Sequence, residues 1–333
     1  MTRAAMFLLS IGAALFVALL AWQGFGAVTS TLMSAGWGLA VVAAYHVLPL
    51  AFDAAAIAVL LDRSARHGSF CNALRARWAG ESVNSLLPVG QIGGPVLMVR
   101  YLAHRGARMR DAAAAITVST TTQALSQMLF ALLGIVLFGA QGDLSDQRAP
   151  IIIVTIILAL CIVVFCVLQR RGMFGRVLRV AARLFGKRDW DGLTLHADAV
   201  DAAIRNLYRN RRKVAASFML NLAGWIAGTG EVWLILYFLG HPVSWHEALL
   251  LESVGQAIRG AAFAIPGSLG AQEGGYLLLA PLVGLPPDMA LALSLAKRVR
   301  ELILGIPGLL YLHRSERKFQ RRRRASAALQ GSD

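Results

Sequence analysis

The last long apolar stretch of the chain, residues 287–312, carries polar side chains whose spacing could do chemistry: Ser294, Lys297, Arg298 and Glu301. At i, i+3, i+4 and i+7 they share one face of a helix, from which Arg300 points away. Ionisable side chains within an apolar helix are costly and usually mark a functional site. The two cations predict a cavity wall whose surplus positive charge meets an anionic headgroup. The alternative is a structural cluster in which Lys297 pairs with Glu301 one turn later.

Two other apolar stretches are interrupted by proline and glycine. The first contains ESVNSLLPVGQIGG at 81–94, and the second covers 248–285 and contains PGSLGAQEGG. Pro88 and Pro266 each remove a helix hydrogen bond, and the glycines permit tight turns. Because backbone N–H groups at such turns can hold an anion, both stretches are candidate parts of a binding site.

The polar residues of these broken stretches join those of the last helix as candidates. Glu252, Gln256 and Arg259 fall at i, i+4 and i+7, which places them on one helical face. The structural alternatives are an ion pair between Arg77 and Glu81 and capping of the turns by the residues at their tips. The predicted substrate-binding residues are Glu81, Asn84, Gln91, Gly93, Gly94, Glu252, Gln256, Arg259, Gln272, Glu273, Gly274, Lys297, Arg298 and Glu301.

Two acidic residues in further apolar stretches are candidates for proton coupling. Asp53 has His46 seven residues earlier on the same helical face, and Glu231 lies in the matching helix of the second half of the chain. Carboxyl groups inside a span often belong to proton pathways. The alternative for Asp53 is a solvated position near a helix end, or a pair with Arg63.

The apolar stretch 112–139 carries a polar face formed by Thr120, Gln123 and Gln127. Small polar side chains commonly make hydrogen bonds between membrane helices. The same face could also line a cavity, and the sequence leaves both interpretations open.

The composition is that of a polytopic membrane protein. Of 333 residues, 57% are hydrophobic and 15% are charged, and the mean hydropathy is +0.59. Soluble domains carry about 25% charged residues. The formal net charge of +15 comes from basic residues between the apolar runs, which favours membrane topology over nucleic-acid binding. The stretches long enough to span a bilayer are 5–25, 37–61, 112–139, 150–169, 214–239 and 287–312.

The basic residues predict how the chain is oriented. They are concentrated in 62–77, 99–111, 170–213 and the tail from His313. The positive-inside rule places these segments and both termini in the cytoplasm. The first broken stretch then enters and leaves from the cytoplasm, and the second enters from the outside. Because the arms 78–87 and 92–103 would be only about 15–18 Å long as helices, we predict re-entrant hairpins rather than crossings.

An internal repeat relates the two halves of the chain. Glu81-Ser82-Val83 matches Glu252-Ser253-Val254, and the later proline, glycine and alanine-rich segments recur in the same order. Each unit reads helix, broken hairpin, helix, in opposite orientations, which is an architecture of transporters. We therefore predict an all-α polytopic membrane protein with six spanning helices and two re-entrant hairpins, or eight spans if the hairpins cross.

The predicted segments follow from this repeat and from the basic loops. They are a first transmembrane helix with its outer loop at 1–36, inverted-repeat unit 1 at 37–139, a connecting transmembrane helix at 140–169, a basic amphipathic cytoplasmic linker at 170–213, inverted-repeat unit 2 at 214–312 and a basic cytoplasmic tail at 313–333. The linker suits the anionic cytoplasmic surface of a membrane.

Motifs of common enzyme classes are absent from the sequence. It has no GxxxxGK[ST], no HExxH and no nucleophile elbow, so it does not hydrolyse ATP through a P-loop. His241, His246 and Glu247 lie together, but no ligand set completes a metal site. The three cysteines form no CxxC pair. We expect no cofactor, no metal and no catalytic residue.

The two broken stretches carry a resemblance to a known family. At ESVNSLLPVGQIGG and IPGSLGAQEGG the chain resembles the flippase-like family that shares the transmembrane region of lysylphosphatidylglycerol synthase. With AKRVRELILGIPGLLYL added, it is most similar to the hopanoid-biosynthesis-associated membrane protein L branch. The resemblance covers roughly residues 5–312. It implies a multi-pass protein of the bacterial inner membrane that moves or handles a lipid. It does not imply lysine transfer, because the family's soluble aminoacyl-transferase domain is missing.

We expect a lipid translocase or lipid-trafficking protein for a polar-headed, hopanoid or isoprenoid lipid that is not driven by ATP. One alternative is a membrane enzyme on an isoprenoid lipid, with Glu252 or Glu273 as acid/base. Another is a non-catalytic scaffold that docks lipid-synthesis enzymes through 170–213. The expected partners are membrane lipids, and lipid-biosynthesis enzymes for the scaffold, but not nucleic acid. The lipid and the oligomeric state stay open.

Overall fold

The computed structural model describes residues 33, 35–61, 70–87, 93–140, 197–262, 265 and 268–330. Every regular element within these residues is a helix, which confirms the all-α prediction. The predicted spans 5–25 and 150–169, the linker residues 170–196 and Gln91 lie outside the described residues.

The first unit is built from five helices. They are α1 (Gly38–Tyr45), α2 (Val47–Leu60), α3 (Phe70–Leu86), α4 (Gly93–His104) and α5 (Met109–Gly139). The break between α1 and α2 lies at His46, three residues before Pro49. Proline is tolerated in the first turn of a helix because its missing N–H has no partner there.

The described part of the second half of the chain, from residue 197 on, contains five more helices and a short turn. They are α6 (Ala197–Arg209), α7 (Arg211–Phe238), α8 (Trp245–Ala261), α9 (Ala271–Leu279), a 3₁₀ turn (Ala280–Val283) and α10 (Pro287–Gln330). The α8 helix begins with a capping box: the Glu247 backbone N–H donates to Ser244 Oγ at 3.3 Å, and the Ser244 N–H donates to the Glu247 carboxylate at 2.7 Å. This box satisfies two N–H groups that the helix itself leaves without partners.

The two units pack against each other through corresponding helices. The first helices, α2 and α7, contact each other. The hairpin helix α8 of the second unit packs on α5, and the hairpin helix α3 of the first unit packs on α10. A reciprocal exchange of this kind is what a two-fold relation between the units would produce. The inverted orientation itself stays a prediction.

Close helix contacts depend on small residues. A Cβ on Gly134 of α5 would overlap the Ser253 side chain of α8, and a Cβ on Gly308 of α10 would overlap Ser82 of α3. Small residues at such crossings let the backbones of membrane helices approach closely. Large apolar side chains such as Leu278 and Met219 lie on the outside, where a lipid environment suits them.

Among the described residues, three helical stretches are long and apolar enough to cross a membrane. They are Gly38–Leu60, Met109–Gly139 and Arg211–Phe238, and they correspond to three of the predicted spans. The predicted span 287–312 lies within α10 but carries charged residues in its apolar part. At 44 residues, α10 is about 66 Å long, twice the thickness of a hydrocarbon core.

Several predicted boundaries differ from the structure. The first hairpin arm is longer than predicted, because α3 begins at Phe70 and includes Arg75 and Arg77, which we had placed in a loop. The described end of the predicted linker forms α6, whose Ile204 and Leu207 pack against α5. The predicted basic tail from 313 belongs to α10, which runs on to Gln330.

Candidate functional site

A buried ion pair between α8 and α10 forms one end of the site. Lys297 of α10 donates to the Glu252 carboxylate of α8, and the two side chains are 1% and 4% exposed. The other Glu252 oxygen accepts a hydrogen bond from the Gln256 amide at 2.8 Å. The Gln256 backbone carbonyl in turn accepts one from Gln127 of α5 at 2.6 Å. The polar faces of α8 and α10, predicted from helical spacing, therefore meet each other.

Glu273 closes the N-terminus of α9. One of its oxygens accepts the Gly270 backbone N–H at 2.7 Å, and the other accepts the Ser294 hydroxyl at 2.9 Å. A carboxylate at this position satisfies a free N–H and complements the helix dipole. Gln272 donates to Ser294 as well, at 3.0 Å. These bonds hold α9 against α10.

Glu301 connects the cations of the site. Its oxygens lie 2.6 Å from Arg259 of α8, 3.3 Å from Arg298 and 3.6 Å from Arg300. Arg298 also lies 3.4 Å from Glu273, and Arg259 donates to the side-chain amide oxygen of Gln272 at 3.2 Å. The predicted residues Arg259, Gln272, Glu273, Arg298 and Glu301 are thus connected with Ser294 in one network, and the Lys297–Glu252 pair joins the same two helices, α8 and α10.

His46 joins this network to the first unit. Its Nδ1 lies 2.6 Å from a Glu231 oxygen of α7, and its Nε2 lies 2.9 Å from a Glu81 oxygen of α3. Arg300 Nη1 lies 2.6 Å from each ring nitrogen. Arg300 Nε faces the second Glu231 oxygen at 3.2 Å, but neither atom makes an aligned hydrogen bond. Four helices therefore meet at one imidazole.

The charges of the network are close to balanced, so the surplus of positive charge that we predicted is wrong for these residues. The cations are Arg259, Lys297, Arg298 and Arg300, and the carboxylates are Glu81, Glu231, Glu252, Glu273 and Glu301. The alternative Lys297–Glu301 pair does not form, because Lys297 pairs with Glu252 of α8, and Glu301 pairs with Arg259 of α8 and with two arginines of its own helix. Burying charges requires such pairing, because an isolated buried ion is strongly disfavoured.

A cleft opens onto the first-unit end of the network. It encloses about 270 Å³ of empty space, part of it open to solvent, and is lined by His46, Leu50, Trp78, Glu81, Ser82, Ser85, Arg300, Glu301, Leu304 and Gly305. The Glu81 side chain is 28% exposed, the His46 side chain 14% and the Glu231 side chain 3%. Exposure therefore falls stepwise from the cleft into the protein.

Asp53 belongs to a separate polar centre. Its Oδ2 accepts hydrogen bonds from Arg77 of α3 at 2.7 and 3.0 Å and from Gln123 of α5 at 3.1 Å. The ion-pair partner of Asp53 is therefore Arg77 of α3, and Arg77 bonds to Asp53 rather than to Glu81. A pocket that encloses about 220 Å³ of empty space, part of it open to solvent, lies beside these residues and is also lined by Asn221 and Thr120. The polar face of α5 serves both helix contacts and this pocket.

The remaining predicted residues lie at the hairpin turns. The Gly94 backbone N–H donates to Asn84 Oδ1 at 2.7 Å, which clips α4 to α3. A Cβ on Gly94 would collide with the Gly80 carbonyl, so this crossing needs a glycine. Gly93 begins α4, and Gly274 lies in the first turn of α9 with open space around its Cα. The structure does not bring these residues into the charged network.

Two residues of the network were missed by the sequence analysis. Arg300 was placed off the polar face of α10, yet its side chain is 5% exposed and reaches the first unit. His46 was noted only as a neighbour of Asp53. The available signal was its position inside an apolar stretch, where an ionisable side chain is itself unusual.

Within the described residues, no group of three His, Cys, Asp or Glu side chains could hold a metal ion.

Comparison with known proteins identifies the family. The family model described as the lysylphosphatidylglycerol synthase TM region matches residues 8–308, which is most of the chain. No curated protein matches the chain significantly. The apolar helices and this match together support a multi-pass membrane protein with a role related to membrane lipids. The chain belongs to the family of the lysylphosphatidylglycerol synthase TM region.

Proposed function

We propose that the protein translocates, or helps to traffic, a polar-headed lipid across its membrane without ATP. The observation that carries the proposal is the buried charged network, which joins both units and ends at a cleft. Ionisable side chains inside membrane helices usually mark a substrate or ion pathway. The family supports a lipid as the substrate class.

An anionic headgroup would bind by replacing one of the carboxylates as the partner of a cation. Because the cations of the network are paired, an incoming anionic group must replace one of these partners. Arg298 can serve as this cation, because it contacts two carboxylates at once, Glu273 at 3.4 Å and Glu301 at 3.3 Å. Both carboxylates keep other partners when Arg298 turns to a ligand: Ser294 for Glu273, and Arg259 for Glu301.

The finer identity of the protein belongs to the same proposal. The resemblance in LLPVGQIGG and PGSLGAQEGG favours a hopanoid or isoprenoid lipid in the bacterial inner membrane. The basic segments favour cytoplasmic termini. We propose that the chain is not itself an enzyme. The two carboxylates that could act as acid or base, Glu252 and Glu273, are buried and already bound to cations, which supports this role.

The test is a leaflet-resolved assay in proteoliposomes. Fluorescent phosphatidylglycerol, phosphatidylethanolamine and polyprenyl phosphate are each supplied in one leaflet, and their redistribution is followed by chemical quenching. Arg298→Gln is the informative variant, and Arg314→Gln, an exposed arginine on the same helix, is the matched control. A hydrogen bond to a charged group contributes about 1.5–3 kcal/mol, so Arg298→Gln should slow redistribution about tenfold or more.

The outcomes separate the candidate functions. Redistribution that is slowed in Arg298→Gln and unchanged in Arg314→Gln supports translocation at this site. Equal rates in the two variants would remove the proposed headgroup site. A covalently altered lipid, detected by mass spectrometry, would favour the enzyme. Redistribution no faster than in protein-free vesicles for every lipid would favour the scaffold.

A further inference from the structure

We infer that His46 is the proton-binding residue of this protein, and that its protonation is relayed to both hairpins through Glu81 and Arg300. The role in transport rests on the proposed function. The proton-binding step itself rests on the geometry around one imidazole. That geometry is independent of which lipid is carried.

The two carboxylates around His46 define where a proton is held. Both ring nitrogens lie within 2.9 Å of a carboxylate oxygen, from Glu231 on one side and Glu81 on the other. A carboxylate can only accept, whereas a neutral imidazole has one N–H and one lone pair. A neutral ring therefore leaves one lone pair facing a carboxylate. The doubly protonated ring donates to both, so the two contacts favour a bound proton.

Arg300 favours the opposite state. Its Nη1 lies 2.6 Å from both ring nitrogens, and a guanidinium can only donate. Because it is equally close to both ring nitrogens, it lies over the ring rather than along either lone pair, so the contact is electrostatic: a neutral ring tolerates the guanidinium, whereas a protonated ring places two cations against each other. Protonation of His46 must therefore displace Arg300. The ring and the arginine together form an element with two alternative arrangements.

Two carboxylates are available to Arg300 if it moves away from the ring. Glu301 lies 3.6 Å from Arg300 Nη2, and Glu231 lies 3.2 Å from Arg300 Nε. Glu301 is the partner of Arg259, at 2.6 Å. A shift of Arg300 towards Glu301 changes the charge balance around Arg259, which lies in the last turn of α8. Protonation of His46 therefore changes the electrostatic environment of the second hairpin.

The first hairpin is connected more directly. Glu81 belongs to α3 and contacts His46 at 2.9 Å, and it is the most exposed of the three groups. It offers a route for the proton from the cleft to the ring. The charged groups that face His46 are Glu231 from α7, Glu81 from α3 and Arg300 from α10. Asp53 on the same helical face is engaged by Arg77.

The first measurement follows the protonation of the ring. The full chain, labelled with ¹⁵N-histidine, is placed in lipid nanodiscs of phosphatidylethanolamine and phosphatidylglycerol. The His46 signals are those lost in His46→Gln, or in His46→Asn if the first variant does not fold. Between about pH 8 and pH 5 we expect one ring nitrogen to change from unprotonated to protonated. His313→Gln, on the exposed surface of α10, is the matched control and should leave these signals unchanged.

The second measurement follows the hairpins. Nitroxides are attached at Leu87→Cys and Ala261→Cys, the exposed ends of α3 and α8, with Cys71, Cys161 and Cys166 replaced by serine. We expect the distance distribution between the labels to change with the same midpoint as the His46 titration, and to lose its pH dependence in His46→Gln. A ring that keeps one protonation state over the range, or a distance that ignores the titration, would overturn the inference. Because no transported lipid is needed, such a failure is distinct from a negative leaflet assay.

Discussion

Lys297 of α10 is bonded to Glu252 of α8, and both side chains are almost completely buried. The two residues are 45 positions apart, and Lys297 had a nearer candidate partner in Glu301. Their pairing fixes the second hairpin against the last long helix. It also makes the stability of the fold depend on both charges together.

We predict that Lys297→Gln destabilises the protein much more than the double variant Lys297→Gln/Glu252→Gln. The single change leaves the Glu252 charge buried without its cation, which typically costs about 3–5 kcal/mol. The double change leaves two amides that can bond to each other. Thermal unfolding in detergent measures the difference, with Lys318→Gln as a control on the exposed part of α10. Equal melting temperatures for the single and double variants would contradict the prediction.

The crossing of α3 and α10 gives a packing prediction. A Cβ at Gly308 would overlap Ser82 Oγ, so Gly308→Ala should lower the free energy of unfolding by about 1–3 kcal/mol. Adding Ser82→Ala removes the overlapping hydroxyl and should restore part of the loss. Gly274→Ala is the matched control, because a Cβ there meets no atom within 4 Å. Equal stability of Gly308→Ala and Gly274→Ala would show that the crossing is not close.

Variants of Asp53 and Arg77 distinguish a structural role of Asp53 from a role in proton coupling. Asp53→Asn leaves Arg77 without its carboxylate and should destabilise the protein, whereas adding Arg77→Gln should recover much of that stability. Proton uptake into vesicles loaded with a pH-sensitive dye is then measured for the double variant. Asp53 has only a structural role if a folded double variant retains proton uptake. Loss of uptake would place Asp53 on the proton route, as the sequence suggested.

The ion pairs of Glu316, which link the far end of α10 to α4, should contribute little to docking. Glu316 lies 3.0 Å from Arg100 and 3.5 Å from His104, and these side chains are partly exposed. An exposed ion pair contributes about 0.2–1 kcal/mol and is screened by salt. Glu316→Gln should therefore raise hydrogen exchange in 313–330 at low salt, with a smaller effect at high salt. Arg317→Gln, which is exposed, is the control. An effect that is equally large at high salt would point to a buried contact.

The inverted arrangement predicts on which side each hairpin is entered. Cys71 lies exposed at the start of α3, on the predicted cytoplasmic side, and Pro242 lies exposed before α8, on the predicted outer side. An impermeant maleimide added to intact cells should label Pro242→Cys but not Cys71, with the other cysteines replaced by serine. Opening the cells should make Cys71 reactive. Labelling of both residues from the same side would contradict the opposite orientation of the two units.

The helices were predictable because their signals are local. Long apolar runs set α2, α5 and α7, and the proline and glycine of 81–94 marked the end of α3. The start of α3 was predicted too late, because the charges of Arg75 and Arg77 favour a loop over a buried helix when only neighbouring residues are considered. The buried partner of Arg77 makes its place in the helix favourable, and that partner lies on another helix.

The sequence by itself determined which segments are apolar, where ionisable residues interrupt them and which of these share a helical face. Those properties depend on residue type and on a period of about 3.6 residues, which neighbouring positions specify. The tertiary structure alone decided the partners. Packing α10 among α1, α3, α7 and α9 covers more than one of its faces, so Arg300 became buried and turned towards His46. Charge pairing across helices depends on where their axes cross, and no spacing along a single helix contains that information.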